Sequence, residues 1–207
     1  NDAKSLGGGV FDSEYFNGVN PSTFTYEDRD YDRLRKRVFL NLGMEYYFND
    51  ETSFTISGFT RNSDNLSNNS TIIQDLDQNK EILNEFGRFQ DEEEDDISSQ
   101  LTHNFTKKFN KKGHELVIEF QTERSTEDES DYASNTNTFD QSSMTDETQQ
   151  RKLLQIDYVY PIDKNTQFEL GYRGNFTDLN TDYNVLDIRN NETIRNLNLS
   201  NIFVFSQ

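Results

Sequence analysis

From Lys152 to Phe176 the chain alternates apolar and polar residues with a period of two, on both sides of a short polar turn. Leu154, Ile156, Tyr158, Tyr160 and Ile162 share one face, and Gln155, Asp157 and Val159 the other. Beyond Asp163-Lys-Asn-Thr166 the pattern resumes, with Phe168, Leu170, Tyr172 and Phe176 against Gln167, Glu169, Arg173 and Asn175. Successive side chains of a strand point to opposite faces, so strict alternation is a strand signal. Two such runs across about four turn residues predict an antiparallel hairpin. Soluble strands average about 5–6 residues, whereas a tilted strand crossing a bilayer needs about 9–11. This hairpin fits the second length.

The same pattern recurs along the chain. Val38, Leu40, Leu42, Met44, Tyr46 and Phe48 alternate with Asn41, Gly43 and Glu45, then Phe54 and Ile56 open a return strand after the turn at 49–52. Ile97, Leu101, Phe105 and Phe109 are in phase, and after the turn at 110–113 so are Leu116, Ile118 and Phe120. A last strand, Arg195 to Phe205, is expected with Leu197, Leu199, Phe203 and Phe205 on one face. This makes about seven strands. Residues 1–32 read as a Gly-rich, acidic loop with a strand end at Thr23 to Tyr26, and residues 33–207 as the strand region.

Short turns at 49–52, 110–113 and 163–166 alternate with long polar stretches at 62–96, 123–151 and 177–193, which read as loops, with strand ends near Thr71 to Ile73 and a short amphipathic helix at Lys80 to Phe89 as options. Outer-membrane barrels have that asymmetry, with short periplasmic turns and long extracellular loops. Tyr46, Tyr47, Phe48, Phe54, Phe105, Phe109, Tyr158, Tyr160 and Phe168 crowd the short-turn ends, as rings do at a membrane–water interface. A net charge of −18 with 31% hydrophobic residues suggests a solvated or disordered chain, but 17 Phe, 10 Tyr and only 2 Pro argue against disorder. No apolar run of about 18 residues is present, which excludes a membrane-spanning helix and leaves a barrel open. Asn1-Asp-Ala-Lys4 has no apolar segment behind it, so the sequence reads as a mature or internal portion. The absence of Cys excludes disulfides and thiolate metal sites.

No catalytic, cofactor-binding or metal-ligating constellation emerges, and no enzyme activity or cofactor is expected. His103 falls in the outward phase of a strand, His114 sits beside a basic turn, and neither has a nucleophile motif near it. Leu6-Gly-Gly-Gly9 lacks the Lys-Ser/Thr of a phosphate loop. Residues 74–96 hold ten Asp and Glu against two Lys and Arg, and residues 123–151 eight against two. Such stretches read first as solvated, since no EF-hand spacing supports Ca²⁺ binding. Their sign excludes nucleic acid as a partner. Lys107, Lys108, Lys111 and Lys112 cluster at one short turn, within reach of headgroups. Asn41, Glu45, Gln100, Thr102, Asn104, Glu119, Gln121, Gln155, Asp157, Glu169 and Arg173 form the polar strand faces, suited to a wet lumen or a plug.

Three segments carry a family resemblance: Phe39-Leu-Asn-Leu-Gly-Met-Glu-Tyr-Tyr-Phe-Asn-Asp50, Phe105-Thr-Lys-Lys-Phe-Asn-Lys-Lys-Gly-His-Glu-Leu116 and Asp157-Tyr-Val-Tyr-Pro-Ile-Asp-Lys-Asn-Thr-Gln-Phe-Glu-Leu-Gly-Tyr-Arg173. Over about residues 33–207 the chain resembles the barrel of TonB-dependent receptor-like proteins of Bacteroidota, in the outer membrane protein beta-barrel branch. The resemblance implies an integral protein of a Gram-negative outer membrane that binds a surface ligand and takes it up. Its implied partners are outer-membrane lipid, a plug domain and TonB, and a surface lipoprotein or other envelope protein. Members are longer, with a carboxypeptidase-regulatory-like domain, a plug and a TonB box that this sequence lacks. A receptor barrel has about 22 strands, so seven would be an arc of it. The reading is an all-β, antiparallel, up-and-down transmembrane barrel segment. The alternatives are a small closed structural or adhesive barrel, needing one more strand within residues 8–26, and a soluble acidic β-sheet binding module.

Overall fold

The computed structural model describes residues 2–18, 20–190 and 192–207. They form one antiparallel sheet: β1 (Asp2–Asn17), β2 (Asn20–Asn49), β3 (Thr52–Leu76), β4 (Ile82–Lys108), β5 (Glu115–Asn135), β6 (Asp140–Pro161), β7 (Gln167–Arg189), β8 (Glu192–Arg195) and β9 (Asn201–Ser206). Neighbours in sequence are neighbours in the sheet from β1 to β8, and β9 also pairs with β7. The up-and-down antiparallel architecture agrees with the alternation. Among the described residues β1 pairs only with β2, and β8 and β9 only with β7, so the sheet is open.

The polar stretches depart from expectation. Residues 62–76 continue β3 and 82–96 belong to β4; 123–135 continue β5 and 140–151 open β6; 177–189 continue β7. The three stretches expected as loops are instead paired arms, the first two closed by tight turns at 77–81 and 136–139, and the option of a helix at Lys80 to Phe89 gives way to β4. Asn191, in the third stretch, lies outside the described residues. Residues 2–17 and 20–32, read as a loop, are β1 and the start of β2; Asn1 and Val19 lie outside the described residues. The physical reason is common to all four segments. Both faces of an arm are wet, so nothing selects an apolar period, and the strand signal fades while backbone pairing continues.

The last strand differs too. β8 pairs Leu186 with Arg195, and β9 pairs Tyr183 with Asn201, so five residues, 196–200, lie opposite two. The insertion is an extended bulge that bends the edge. Asn196 N–H donates to the Val185 carbonyl (2.8 Å), and Val185 N–H to the Ser200 hydroxyl (3.0 Å), closing it on both sides. Leu197 and Leu199 lie in the turn. An odd insertion changes which side chains share a face: Ile202 and Val204 stand opposite Asp182 and Asn180, whereas Phe203 and Phe205 stand opposite Thr181 and Leu179.

Candidate functional site

Cross-strand register assigns every side chain to one of two faces. One face carries Leu42, Met44 and Tyr46 on β2 beside Gly58, Ile56 and Phe54 on β3. It continues through Leu101, His103 and Phe105, then Ile118 and Phe120, then Leu154 and Ile156, then Tyr172. These apolar side chains have no second layer to cover them. Val38, Leu42 and Met44 are 69, 68 and 64% exposed, and Val185, at 4%, is the buried apolar side chain of the described residues. A soluble sheet must bury one face against another element; this one has only a solvent to offer its apolar face. Val38 to Phe48 covers eleven residues, about 33 Å of strand, which tilted by about 40° gives about 25 Å, the height of a barrel's lipid-facing band. Away from the short turns, the first charged residues on this outer face are Lys36, Asp64, Asp95, Arg124, Lys152 and Asp178. The spanning segments lie below them.

The short-turn end is aromatic, as the sequence implies. His114 stacks on Phe109 (4.0 Å between centroids) and meets Tyr158 and Tyr160 edge-on. A hydrogen bond of 2.9 Å joins His114 Nε2 and the Tyr158 hydroxyl. Lys111 Nζ donates to the Ile162 carbonyl (2.9 Å) and lies 5.0 Å from the Tyr160 ring centroid. A cation, rings and hydroxyls together suit an interface, where one end of each side chain is apolar and the other wet. Gly113 closes the β4–β5 turn at φ +83°, a conformation that favours glycine. His103, expected to point outward, does so between the rings of Phe54 (5.9 Å) and Phe120 (6.3 Å).

The inner face is mostly polar, interrupted by the rings of Phe39 and Phe59, by Val117, Leu153 and Val159, and by Leu179 beside Phe205, and all the polar-face residues inferred from the sequence lie on it. It is also charge-segregated. Arg29, Arg33, Arg35 and Arg37 line β2, opposite Thr71, Ser67, Asn65 and Ser63 of β3. Those β3 residues in turn face Arg88, Glu92, Glu94 and Asp96 of β4. Ser63 and Ser67, small and buried, separate the arginine side from the acidic side. Asn65 bridges the two: it accepts from Arg35 Nε (2.8 Å) and donates to Glu94 Oε2 (3.1 Å). Arg61 closes on Asp96 at 2.6 Å. The acidic side extends to Glu129 opposite Glu94, and to Glu127 between Asp96 and Glu147. On the outer face of the arms, Asp64, Asp95, Asp128, Asp146 and Asp182 are successive cross-strand partners. Among the described residues no three His, Asp or Glu side chains converge as metal ligands.

Like charges held opposite one another shift titration. Burial, then repulsion from Glu94 and Glu147, pushes the Glu127 carboxyl up; burial, then Glu92 and Glu94, does the same for Glu129. Each folded carboxyl holds its proton to higher pH than the unfolded one. Stability from this pair therefore falls as pH rises through the ordinary Glu range and is regained on acidification. Both groups are half-buried and screened, so Glu129→Gln should strengthen the β4–β5–β6 arms by only about 0.2–0.5 kcal/mol at pH 7. The check is amide hydrogen-exchange protection over residues 123–147. It should rise from pH 7 to pH 5 in the parent and change less in the variant. Asp140 and Asp187 are shifted the other way, by hydrogen bonds from Tyr132 and Gln141, and lose stabilisation only below the ordinary Asp range, outside that window.

The arginine row is not apparent from hydropathy, since Arg29 falls in a stretch that resembles a loop and Arg33, Arg35 and Arg37 precede the apolar alternation that starts at Val38. The signal was there: Arg29, Arg33, Arg35 and Arg37 share one parity with Asn41 and Glu45 of the strand that was recognised.

Residues 107–207 match the model of the outer membrane protein beta-barrel family, and no curated protein matches the chain. The match covers the end of β4 and the strands from β5 to β9. An uncovered apolar band, an aromatic rim, a polar inner face and this match make the chain an outer-membrane β-barrel protein.

Proposed function

We propose that this sheet is part of the wall of a TonB-dependent receptor-like transporter in a Bacteroidota-type outer membrane. In this reading the arms bind a ligand at the cell surface and the lumen admits it. The observation that carries the reading is the open sheet with a predominantly polar inner face. Unpaired edges are intolerable in lipid, so further strands complete the barrel. A largely polar wall suits a wide wet lumen or a plug rather than a tightly packed interior. The plug, TonB and a surface lipoprotein are the partners, and the wall itself performs no chemistry.

A small closed barrel is the second reading, favoured by one observation: β1 supplies the additional strand it needs. Intact mass and heat-shifted gel mobility of the native, membrane-extracted protein separate the two. A heat-shifting species several times heavier than 24.3 kDa is expected for the transporter wall, with ligand uptake lost when the inner membrane is de-energised. A heat-shifting species near 24.3 kDa would replace the transporter by the small barrel. A species that stays soluble without detergent would sink both.

A further inference from the structure

On the inner face, where β1 to β4 run side by side, lies a cleft of about 620 Å³. Gly9 leaves room along its β1 wall, and arginines enter from two directions, Arg29 and Arg33 from β2 and Arg88 from β4. Arg29 is already satisfied. It lies 4.4 Å from the Phe11 ring centroid and its Nε donates to Glu27 at 2.7 Å. Arg33 instead stacks at 4.7 Å from the Tyr31 ring centroid. Among the described residues neither Arg33 nor Arg88 has a carboxylate within ion-pair distance. Glu27, Asp30 and Glu92 also line the cleft, but Glu27 is taken by Arg29, so the two guanidinium groups of Arg33 and Arg88 face the cleft with their forks uncommitted to a carboxylate.

We propose that this cleft binds a small solute carrying two or more carboxylate or phosphate groups, gripped by Arg33 and Arg88. Guanidinium forks match both anions bidentately, and stacking on Tyr31 pre-organises one fork. Asn69, Thr71 and Gln90 add neutral donors and acceptors for hydroxyl groups on the same solute. Glu92 closes the cleft at the start of the acidic side and repels an anion bound there. The inference rests on the inner face being a lumen, and it adds the class of cargo.

The test is titration calorimetry on the native, detergent-extracted protein at low salt, with citrate, glucose 6-phosphate and glucose as probes. Citrate, glucose 6-phosphate or both should bind and weaken with added salt, and glucose should not bind. A citrate-only or sugar-phosphate-only result assigns the anion class. Arg33→Ala with Arg88→Ala should weaken anion binding at least tenfold, Glu92→Gln should tighten it several-fold, and Arg124→Ala, on the outer face, should leave it unchanged. Retained heat-shifted mobility shows that a variant is folded; if the double variant does not fold, the Glu92→Gln result decides. No anion binding, equal binding of glucose, or affinity unmoved by these substitutions overturns the proposal. Energised uptake of a neutral solute without anion binding would remove this site and leave the transport reading; anion binding without any uptake would do the reverse.

Discussion

Leu154→Arg should destabilise the inserted sheet by about 2–4 kcal/mol, while Leu153→Arg, one residue away, should cost less than about 1 kcal/mol. Leu154 stands between Phe120 and Gly174 on the outer face, and Leu153 between Gln121 and Asn175 on the inner face. A guanidinium at Leu154 sits in hydrocarbon without a partner; at Leu153 it meets amides and water. The contrast is read from denaturant unfolding in bilayers, or from the fraction of protein retaining heat-shifted mobility. Equal costs at the two positions would mean that neither face meets lipid.

Gly8→Ala should weaken the attachment of β1 by about 1–3 kcal/mol, and Gly9→Ala should be tolerated. A methyl group at Gly8 would lie 2.5 Å from the Arg29 carbonyl oxygen and 2.6 Å from Asp30 Oδ1, so backbone has to move. At Gly9 the nearest atom is the Phe11 ring edge, at 3.6 Å, an ordinary contact. Hydrogen exchange over residues 2–17 should accelerate in the first variant alone. Matched behaviour of the two would show that β1 is not held against β2 in this register.

These contrasts also explain what could be read in advance. Where one face meets lipid, as at Leu154-Gln155-Ile156-Asp157-Tyr158, alternation is enforced and the sequence declares both strand and facing. Beyond Arg124 or Lys152 both faces are wet, the constraint lapses, and the arms look like loops. The break at 196–200 was hidden for another reason. Leu197, Leu199, Phe203 and Phe205 keep a formal period of two, but the backbone spends Leu197 and Leu199 in a turn, and the facing beyond it differs from the apparent one. The inner-face cleft depended on β1 and early β2, where nothing in the hydropathy marked a strand. The arginine parity was the one available clue.

The aligned aspartates on the outside of the arms bear on how such a barrel reaches its place. With the short turns on the periplasmic side, as in outer-membrane barrels, the arms are the leading ends during assembly and have to traverse the bilayer. The β3–β4 arm alone carries ten acidic residues from Asp64 to Asp95. At about 2.5–3.5 kcal/mol per charge on an insertion scale, sending it through lipid unaided would cost upwards of roughly 20 kcal/mol. The arms must therefore be delivered through a passage that is already wet, in the company of neighbouring strands, and only the short apolar band is left to partition into hydrocarbon.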